Sequence, residues 1–499
     1  MDFRTAVNAQ PAVVRVTEVV RNRLEKLLFS RYPDREWACF FFFGTRHTHE
    51  GLVITVVDLL EPGEGDLDPK SSIVRFTEPY TLRAALRKQA TGLGLGTIHS
   101  HPENCWPNPS RLDDDMDDYY SEYFPNFGSS DVYFGLIFSR DEGGKVTFSG
   151  RGRAGARYFR VTTLLTVGDS LLRREQAFSP TTPKRIADPF RGRLEELYGT
   201  EAARRLKPSR VAIIGASGTG SPAAHVLARS GIENFVLVDP QRLAPSNLER
   251  VHGSSMSDFD SDPAPYKVEV VRDLLLSVNP EVNVECLVGN ILQSDVRDAL
   301  ASVDLILCCT DTNHSRTAVG ELAYRYLVPT IDVGVVFETK AGAVTGEIGR
   351  ITFYSPGAPC AHCLGSVDSW KASAELMTDE EKAIRKAQAA DAIARGEPAN
   401  GYWNDVPELP TVGHFTTLAG SLVASYAIGW LTGEFSAPHR FIEFNILEPG
   451  FGYVGFDPPP RPDCTCQTLI GYANEGAFAS VISAPEHWPP VYRLDSKKK

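Results

Sequence analysis

Residues with metal-binding chemistry lie close together between His99 and Asp113. The segment reads GTIHSHPENCWPNPSRLDDD, and the two histidines end a largely apolar run. On a strand, His99 and His101 project to the same side, as two ligands of one metal ion must. Two imidazoles and the carboxylate of Asp113 would leave the fourth position of a tetrahedral zinc ion open to water, which is typical of a catalytic site.

The same segment also has a purely structural interpretation. The pattern Ser110-x-x-Asp113 is an ordinary helix N-cap with an acidic third residue. Two other groups of polar residues are predicted to be solvated rather than metal-binding: His47 with His49, and an acidic loop of Asp114, Asp115, Asp117 and Asp118.

A second stretch, which begins at Val211, has the chemistry of a phosphate site. It reads VAIIGASGTGSPAAHVLARSGIENFVLVD. A strand to Ile214, a glycine turn, a helical pattern over Pro222–Arg229 and a strand Phe235–Val238 predict a βαβ unit whose helix N-terminus holds phosphate. The turn is predicted to use Gly215, Gly218 and Gly220. Asp239 follows the second strand, where an acidic side chain accepts a ribose hydroxyl.

Residues beyond this unit indicate a triphosphate rather than a dinucleotide. Asn247 and Arg250 lie in the sequence SNLER, and Lys267 lies in the next helical pattern. Asp311 follows a third apolar strand, Leu305–Cys309. Cationic and amide groups together with a strand-end carboxylate suit the phosphates of ATP and its Mg2+. A nicotinamide dehydrogenase would leave Arg250, Lys267 and Asp311 without a role.

The order GASGTGS, Asp239, SNLER, Lys267, CTDTN resembles the ATP-binding domain of the ubiquitin-activating superfamily, of the MoeB/ThiF/HesA type. Ser217 stands where this family usually has its second glycine. The resemblance implies that the terminal carboxylate of a ubiquitin-like protein attacks the α-phosphate of ATP, with Asp311 positioning magnesium. It also implies that Arg191 reaches the ATP of a partner subunit in a homodimer formed through this domain. The alternative for Arg191 is an arginine on a surface helix.

The HSHP sequence, the spacer and SRLD resemble the JAB/MPN (JAMM) metalloprotease family, with a spacer one residue longer than usual. The resemblance implies three ligands of a catalytic zinc ion: His99, His101 and Asp113. It also implies that Ser110 helps to hold the oxyanion. The general base of this family is a glutamate at the start of a strand, which makes Glu36 the candidate and Glu50 its rival. The reaction implied is deubiquitinase-like cleavage of a peptide or isopeptide bond after the last glycine of a modifier.

The nine cysteines include two closely spaced pairs that suit a metal ion. These pairs are predicted to close a structural zinc site, with unpaired thiols as the alternative: Cys360, Cys363, Cys464 and Cys466. Activating enzymes often carry such a site as two CxxC pairs, so the CxC pair here is a departure. The segment between Cys363 and Gly413 carries a reactive cysteine in many relatives but contains none here. The adenylate is therefore predicted to pass to a thiol on another protein or to another nucleophile.

Two α/β units must position these residues. The predicted fold class is α/β, with an N-terminal α+β JAB/MPN domain and then a Rossmann-like ATP-binding ThiF/MoeB domain with a mixed sheet. The predicted boundaries are 1–165 for the metalloprotease domain, 166–187 for a linker, 188–470 for the adenylation domain and 471–499 for a C-terminal tail. The first domain is predicted to contain a helix over Ala12–Phe29, a strand over Trp37–Phe43, a hairpin loop over Gly44–Gly51 and strands over Leu52–Leu59, Leu93–His101, Val132–Ser139 and Lys145–Phe148.

The net charge, the apolar runs and the cysteine spacing indicate which partners and which compartment the protein has. A net charge of −12 argues against a nucleic acid held by electrostatics. No apolar run approaches the length of a membrane span, and the first residues lack a signal-peptide core. Cysteines in metal-binding spacing are typical of reduced thiols, which predicts a cytoplasmic protein without a membrane partner.

The combined prediction is a bifunctional enzyme of a bacterial ubiquitin-like conjugation system, some of which serve antiphage defence. It would activate a ubiquitin-like protein with ATP and Mg2+, and cleave after the C-terminus of that modifier with Zn2+. The predicted partners are a ubiquitin-like or sulfur-carrier protein and a conjugating enzyme. One alternative is activation of a sulfur carrier and trimming of its precursor in thiamine, molybdopterin or cysteine synthesis. The other is a scaffold with one degenerate domain.

Overall fold

The computed structural model describes residues 9–30, 35–68, 74–102, 105–141, 143–169, 172–179, 192–399, 402–403, 411–473 and 482–494. These residues form one sheet of eight strands and one of nine. The first sheet is built from residues up to Gln176, and the second from residues after Lys207. The mixed α/β class predicted from the sequence is confirmed.

The first sheet runs in the order β1-β3-β2-β4-β5-β6-β7-β8, and β1 also pairs with β7, which gives it a barrel-like form. Its strands are β1 (Gln10–Thr17), β2 (Ala38–Thr48), β3 (Gly51–Leu60), β4 (Gly94–Ser100), β5 (Val132–Arg140), β6 (Val146–Ala154), β7 (Arg157–Val167) and β8 (Leu172–Gln176). Three helices accompany the sheet: α1 (Glu18–Phe29), α2 (Glu78–Thr91) and α3 (Arg111–Tyr123). The interior of the barrel is apolar and includes Phe41, Phe43 and Phe134.

The helix predicted over Ala12–Phe29 is wrong in its first part, which forms β1. Ala12, Val14 and Val16 are buried at alternate positions, and β1 pairs in parallel with both β3 and β7. Branched side chains such as valine suit a strand better than a helix. The helix begins only after Thr17, whose hydroxyl accepts a hydrogen bond from Val20 N at 3.3 Å.

Three other predictions for this region are corrected. The hairpin loop predicted over Gly44–Gly51 is only a turn at His49 and Glu50, because β2 and β3 stay paired up to Thr48 and Gly51. The acidic loop is helix α3. Strand β8 lies inside the segment predicted as a linker, so the first sheet extends into it. In the hairpin and in β8, pairing with a neighbouring strand therefore overrides the local polarity of the sequence.

The second sheet runs in the order β16-β15-β14-β13-β12-β9-β10-β11-β17. Its strands are β9 (Arg210–Ile214), β10 (Asn234–Val238), β11 (Asn283–Val288), β12 (Leu305–Cys308), β13 (Thr330–Lys340), β14 (Ala343–Tyr354), β15 (Phe441–Asn445), β16 (Gly452–Phe456) and β17 (Tyr492–Leu494). The five strands β9 to β13 are parallel, and the other four pair antiparallel at the two edges. This is the mixed sheet predicted from the sequence.

Nine helices of the described residues belong to this second unit: α4 (Gly192–Tyr198), α5 (Thr200–Leu206), α6 (Gly220–Arg229), α7 (Lys267–Val278), α8 (Ser294–Ala301), α9 (Asn313–Arg325), α10 (Ser369–Glu375), α11 (Asp379–Ala394) and α12 (Gly413–Thr432). Within the ranges described above, only α12 has the length and hydropathy of a membrane span, and 67% of that window is buried inside the protein. It packs against α6 as part of the core.

The segment predicted as a C-terminal tail is part of the fold. Strand β17 adds to the second sheet by pairing antiparallel with β11. Gly471 contacts both units, since its N–H donates to Tyr324 O at 3.0 Å and its carbonyl accepts a hydrogen bond from the Thr55 hydroxyl. The closing residues Lys497 to Lys499 lie outside the described residues.

The first unit docks against the amino-terminal ends of the parallel strands of the second. The guanidinium of Arg15 is buried, and it donates to the carbonyls of Ala301, Val303 and Tyr326 at 2.6 to 2.9 Å. Arg174 Nη1 donates to both carboxylate oxygens of Asp304, just before β12, with both distances 2.7 Å. The carboxyl-terminal ends of the same strands, where ligands bind in open α/β sheets, therefore face away from the first unit.

Candidate functional site

The predicted zinc ligands meet where β4 ends and α3 begins. His99 and His101 share a face of the sheet with Leu95, which packs with Tyr120 of α3. Asp113 lies in the first turn of α3. His99 Nε2 is 3.1 Å from Asp113 Oδ1, and His101 Nε2 is 3.7 Å from Asp113 Oδ2. All three side chains are buried, and one ligand atom from each lies within 4.8 Å of the others.

This set of atoms fits a tetrahedral metal ion. His99 Nε2 is buried and lies 3.1 Å from Asp113 Oδ1 without a well-directed hydrogen bond, as expected for two atoms that can bind one ion. His101 Nδ1 lies 3.1 Å from the carbonyl of Trp106, which accepts its hydrogen and leaves Nε2 free to bind metal. A neutral imidazole held by a backbone carbonyl is the usual arrangement of a metal-binding histidine.

Asp113 and His101 shift each other's pKa values. Burial by itself would raise the pKa of Asp113, but the two histidines and the N–H of Ser110 outweigh it and hold that pKa far below its usual range. Burial would lower the pKa of His101, whereas Asp113 and the Trp106 carbonyl raise it. These contacts therefore favour the ionised form of Asp113, which is the form that binds zinc.

Ser110 is the N-cap residue of α3, as its sequence pattern predicts. Its hydroxyl accepts from Asp113 N at 3.3 Å, and Asp113 Oδ2 accepts from Ser110 N at 2.6 Å, which together form a capping box. The same box fixes Asp113 with its Oδ1 towards His99. The cap and the metal-ligand interpretation are thus compatible. The Ser110 hydroxyl keeps a hydrogen that it can donate to an oxyanion.

Glu36 lies next to the histidines, and Glu50 does not. Strand β2 pairs antiparallel with β4, with Ala38 opposite His99, so that Glu36 falls opposite His101. Its charge contributes to the raised pKa of His101. Glu50 lies at the other end of β2, in the hairpin turn, where it is 61% exposed and 2.8 Å from Arg210. Of the two candidates for the general base, the position therefore favours Glu36 over Glu50.

A buried polar network beneath the histidines was missed by the sequence reasoning. The carboxylate of Asp117, one helical turn after Asp113, accepts from Tyr133 Oη and Arg151 Nε at 2.7 Å each. Arg151 also donates to Asp114 at 2.6 Å. Asp114 and Asp117, predicted to be solvated, instead tie α3 to β5 and β6. Their spacing of three residues puts them on one face of the helix, but it does not show which residues that face contacts.

The glycine turn after β9 is tightly packed. Gly215 has a φ of +90°, and a Cβ atom on Gly220 would lie 1.9 Å from the Gly215 carbonyl oxygen, so only glycine fits there. A Cβ on Gly218 would lie 3.2 Å from Arg250 Cδ, which brings Arg250 over the turn. The N-terminus of α6 begins at Gly220, as the phosphate-site prediction requires.

Asp239 joins the turn to the end of β10. Its two carboxylate oxygens accept from Ala216 N at 3.0 Å and Gln241 N at 2.9 Å. Burial raises its pKa, and the positive charge of Lys267 opposes that shift. Each oxygen keeps a lone pair that can accept a ribose hydroxyl.

Lys267 and Asn247 lie on the side of the site that carries Asp239. Lys267 is buried at the start of α7, and its Nζ donates to Gln241 Oε1 at 2.6 Å. Asn247 is buried, and its Oδ1 accepts from Ala244 N at 3.0 Å, which leaves its amide N–H groups for a ligand. A buried lysine and amide next to a glycine turn suit phosphate oxygens.

Asp311 is exposed just beyond β12. Its charge contributes to the raised pKa of Asp239, so the two carboxylates lie at one edge of the sheet. Arg191 lies outside the described residues, as does part of the segment before Gly413.

Glu375 was also missed, because nothing in its local sequence distinguishes it. Its carboxylate accepts four hydrogen bonds from the first turn of α9: from Asn313 N at 3.0 Å, Asn313 Nδ2 at 2.9 Å, His314 N at 3.0 Å and His314 Nδ1 at 2.8 Å. Burial opposes its ionisation, but these donors lower the pKa of Glu375 to about 2. The anion caps the helix that follows Asp311.

The four predicted cysteines converge on one point. The Sγ–Sγ distances are 3.7 Å for Cys360–Cys363, 3.6 Å for Cys360–Cys464 and 3.9 Å for Cys363–Cys466. Thiolates at about 2.3 Å from a tetrahedral zinc ion lie about 3.8 Å from one another. Arg461 N donates to Cys363 Sγ at 3.4 Å and thus stabilises thiolate charge. The cluster fits a structural zinc ion and joins the segment before α10 to the one before β17.

The sequence profile of the ThiF family matches residues 191–466. Molybdopterin-synthase adenylyltransferase of Escherichia coli (strain K12) is 31% identical over 214 residues, which cover 41% of this chain and 81% of that protein. The SAMP-activating enzyme E1 of Haloferax volcanii is 29% identical over 166 residues, 33% of this chain and 57% of the relative. The adenylyltransferase and sulfurtransferase UBA4 of Vanderwaltozyma polyspora is 31% identical over 173 residues, 34% of this chain and 36% of the relative.

Among solved structures, Escherichia coli MccB with ATP has a TM-score of 0.41 and 20% identity, with coverage of 57% of this chain and 76% of that one. A similarity of that size carries no weight for the assignment, which depends on the sequence matches. Because the family profile spans more than half of the chain, and the Escherichia coli relative is matched over most of its length, the chain belongs to the ThiF family and contains an adenylyltransferase domain of the ThiF/MoeB type.

Proposed function

We propose that this chain is a bifunctional enzyme that adenylates the C-terminus of a ubiquitin-like protein and also cleaves after that C-terminus with a JAMM-type zinc site. The adenylation half extends what is established for the family to a protein substrate. The cleavage half depends on one observation, which is that His99, His101 and Asp113 present three converging ligand atoms with Glu36 opposite His101.

In the adenylation half, the chain binds and orients its reactants. Asp239 holds the ribose, while Lys267, Asn247 and Arg250 neutralise the phosphates beside the glycine turn. Asp311 would hold the magnesium ion, which supplies charge neutralisation when bound. The terminal carboxylate of the modifier then attacks the α-phosphate, and pyrophosphate leaves. Catalysis of this kind is positioning and electrostatics, and it needs no protein nucleophile.

The acyl group is passed on to another molecule. No cysteine lies between Cys363 and Gly413, so the chain supplies no thiol there for a thioester. A thiol of a conjugating enzyme, or another nucleophile, attacks the acyl carbonyl of the adenylate and takes the acyl group, and AMP leaves. Arg191 is proposed to act on the ATP of the partner subunit in a homodimer.

In the cleavage half, the three ligands would hold zinc, which supplies Lewis-acid activation of water when bound. Glu36 accepts the proton of the attacking water and later delivers it to the leaving amine. Ser110 donates its hydroxyl hydrogen to the oxyanion of the tetrahedral intermediate. The bond broken is the peptide or isopeptide bond after the last glycine of the modifier.

Two variants test the division of labour. His101→Ala should abolish cleavage of a modifier fusion and leave ATP–pyrophosphate exchange unchanged, whereas Asp311→Ala should do the reverse. Loss of both activities from either substitution, in a protein that stays folded by circular dichroism, would contradict the two-site proposal.

A second candidate function is activation of a sulfur carrier. The names of the relatives favour it, since one is a molybdopterin-synthase adenylyltransferase and another an adenylyltransferase and sulfurtransferase. In that case the adenylate would receive sulfide, and the metalloprotease would only trim a precursor. Formation of a modifier thiocarboxylate, measured by mass spectrometry, separates this function from conjugation.

A further inference from the structure

The first turn of α9 is held by an anion from another part of the chain. Helix α9 starts two residues after Asp311, and its first two N–H groups both donate to the carboxylate of Glu375. Helix N-termini attract negative charge because their N–H groups lack partners within the helix. Here that position is filled by a side chain from α10, more than fifty residues further along the chain.

Side chains reinforce the same contact. Asn313 Nδ2 and His314 Nδ1 both donate to Glu375, so the carboxylate is held by four donors. His314 Nε2 lies 3.1 Å from Asn290 Nδ2 and accepts its hydrogen, which fixes the imidazole with its hydrogen on Nδ1. Asn313 Oδ1 accepts from Asp368 N at 3.1 Å, just before α10. The contact is therefore made at both ends of α10.

The chain between β12 and α9 contains only four residues, and Asp311 is one of them. Its two ends are fixed by the strand ladder at Cys308 and by the bonds from Asn313 to Glu375. A segment of this length has little freedom when both ends are held. Without Glu375, the amino end of α9 would lose its cap and the position of Asp311 would be less defined.

We propose that Glu375 is a positioning residue of the adenylation site: through Asn313 and His314 it keeps Asp311 in the conformation that binds the magnesium ion of ATP. The proposal rests on the proposed role of Asp311. Glu375 itself touches neither nucleotide nor metal. Its effect is therefore confined to the part of nucleotide binding that depends on magnesium.

The test measures binding of the ATP analogue AMPCPP by calorimetry over a range of Mg2+ concentrations. Glu375→Ala should bind the magnesium-free analogue as the unsubstituted protein does, but should need about tenfold more Mg2+ for the same gain in affinity, the scale of a lost helix cap. Glu380→Gln, which removes an exposed carboxylate from the same segment, should behave as the unsubstituted protein.

Acetate provides a second readout, because it can enter the vacated position at the helix N-terminus. At constant ionic strength, acetate should restore the magnesium response of Glu375→Ala and leave the unsubstituted protein unchanged. Equal magnesium dependence of Glu375→Ala and the unsubstituted protein would overturn the proposal. So would a loss of magnesium-free binding in Glu375→Gln, the variant of nearly identical shape, because that would indicate a general structural role.

The outcome is independent of whether the modifier has been identified. If the enzyme failed to adenylate any ubiquitin-like protein while its magnesium response still depended on Glu375, the proposed substrate would be wrong and the positioning role would stand. If exchange occurred and the magnesium response ignored Glu375, only the positioning role would fail.

Discussion

Glu36 falls opposite His101 when the β2–β4 register is continued beyond Ala38 and His99, as the 2.9 Å hydrogen bond from Ser100 N to Trp37 O indicates. This relationship brings a carboxylate to the site from a strand that contributes no ligand. In the proposed cleavage reaction, the base would therefore come from the sheet, and the ligand Asp113 from helix α3.

The first prediction concerns this base. Glu36→Gln should lower the rate of cleavage by about 10²- to 10⁴-fold, the usual contribution of a general base, while the protein keeps its zinc. Glu50→Gln is the matched control, since Glu50 pairs with Arg210 at the far end of β2. Cleavage of a fluorogenic modifier fusion and zinc content by mass spectrometry are the measurements. Equal losses in both variants would remove Glu36 from the mechanism.

The histidine pair and the glycine turn could be predicted from sequence because each is a local pattern in which spacing determines geometry. The four cysteines were also predictable, since two closely spaced pairs match the ligand spacing of structural zinc sites. Glu375 and Asp117 could not be found in this way. Each acts through partners that are distant in sequence, and a lone glutamate or an acidic helix carries no signal of what it will contact.

Strand β1 shows why part of the fold was mispredicted. Its last six residues, AVVRVT, join directly to α1 without a glycine or proline between them. One continuous helical pattern therefore matched both the strand and the helix. The segment forms a strand because it pairs with β3 and β7, whose residues lie far along the chain. The burial of Arg15 could not be predicted either. Its guanidinium is buried because it donates to backbone carbonyls of the second unit, which are far away in the sequence.

The cysteine cluster gives a prediction about stability. Cys466→Ser should remove one zinc ion per chain and lower the free energy of unfolding by about 4 kcal/mol or more, as expected for loss of a structural metal. The segment that follows, including Gly471, should lose its contacts with Tyr324 and Thr55. Cys105→Ser, at an exposed thiol, is the control. Hydrogen exchange and thermal unfolding measure both effects, and an unchanged zinc content in Cys466→Ser would refute the cluster as a zinc site.

Lys267, the buried lysine of the proposed nucleotide site, gives a prediction about catalysis. Lys267→Ala should reduce ATP–pyrophosphate exchange by about 10²- to 10³-fold, the cost of losing one preorganised charge at a reacting group. Lys207→Ala removes a half-exposed lysine, paired with Glu233 at 3.1 Å, and should leave exchange unchanged. If Lys267→Ala exchanged at the normal rate, the phosphates would have to bind elsewhere.

The first unit docks at the end of the second sheet opposite its nucleotide residues, and this leads to a prediction about the order of events. The first unit contacts the amino ends of the parallel strands, through Arg15 and Arg174, whereas Asp239 and Asp311 lie at their carboxyl ends. If the proposed cleavage and activation both occur, this arrangement predicts that a trimmed modifier leaves the chain before it is activated. Excess unlabelled trimmed modifier should dilute the label that enters the adenylate from a labelled precursor. Label that resists dilution would mean direct transfer between the sites.

ATP–pyrophosphate exchange with trimmed and untrimmed ubiquitin-like proteins tests the central claim most directly. Exchange should occur with a modifier that ends in its terminal glycine, in the unsubstituted protein and in His101→Ala alike. With an untrimmed modifier, exchange should appear only in the unsubstituted protein and only when zinc is bound. Exchange that proceeds equally well from the untrimmed modifier in His101→Ala, or that fails with every trimmed modifier while ATP still binds, would contradict the account.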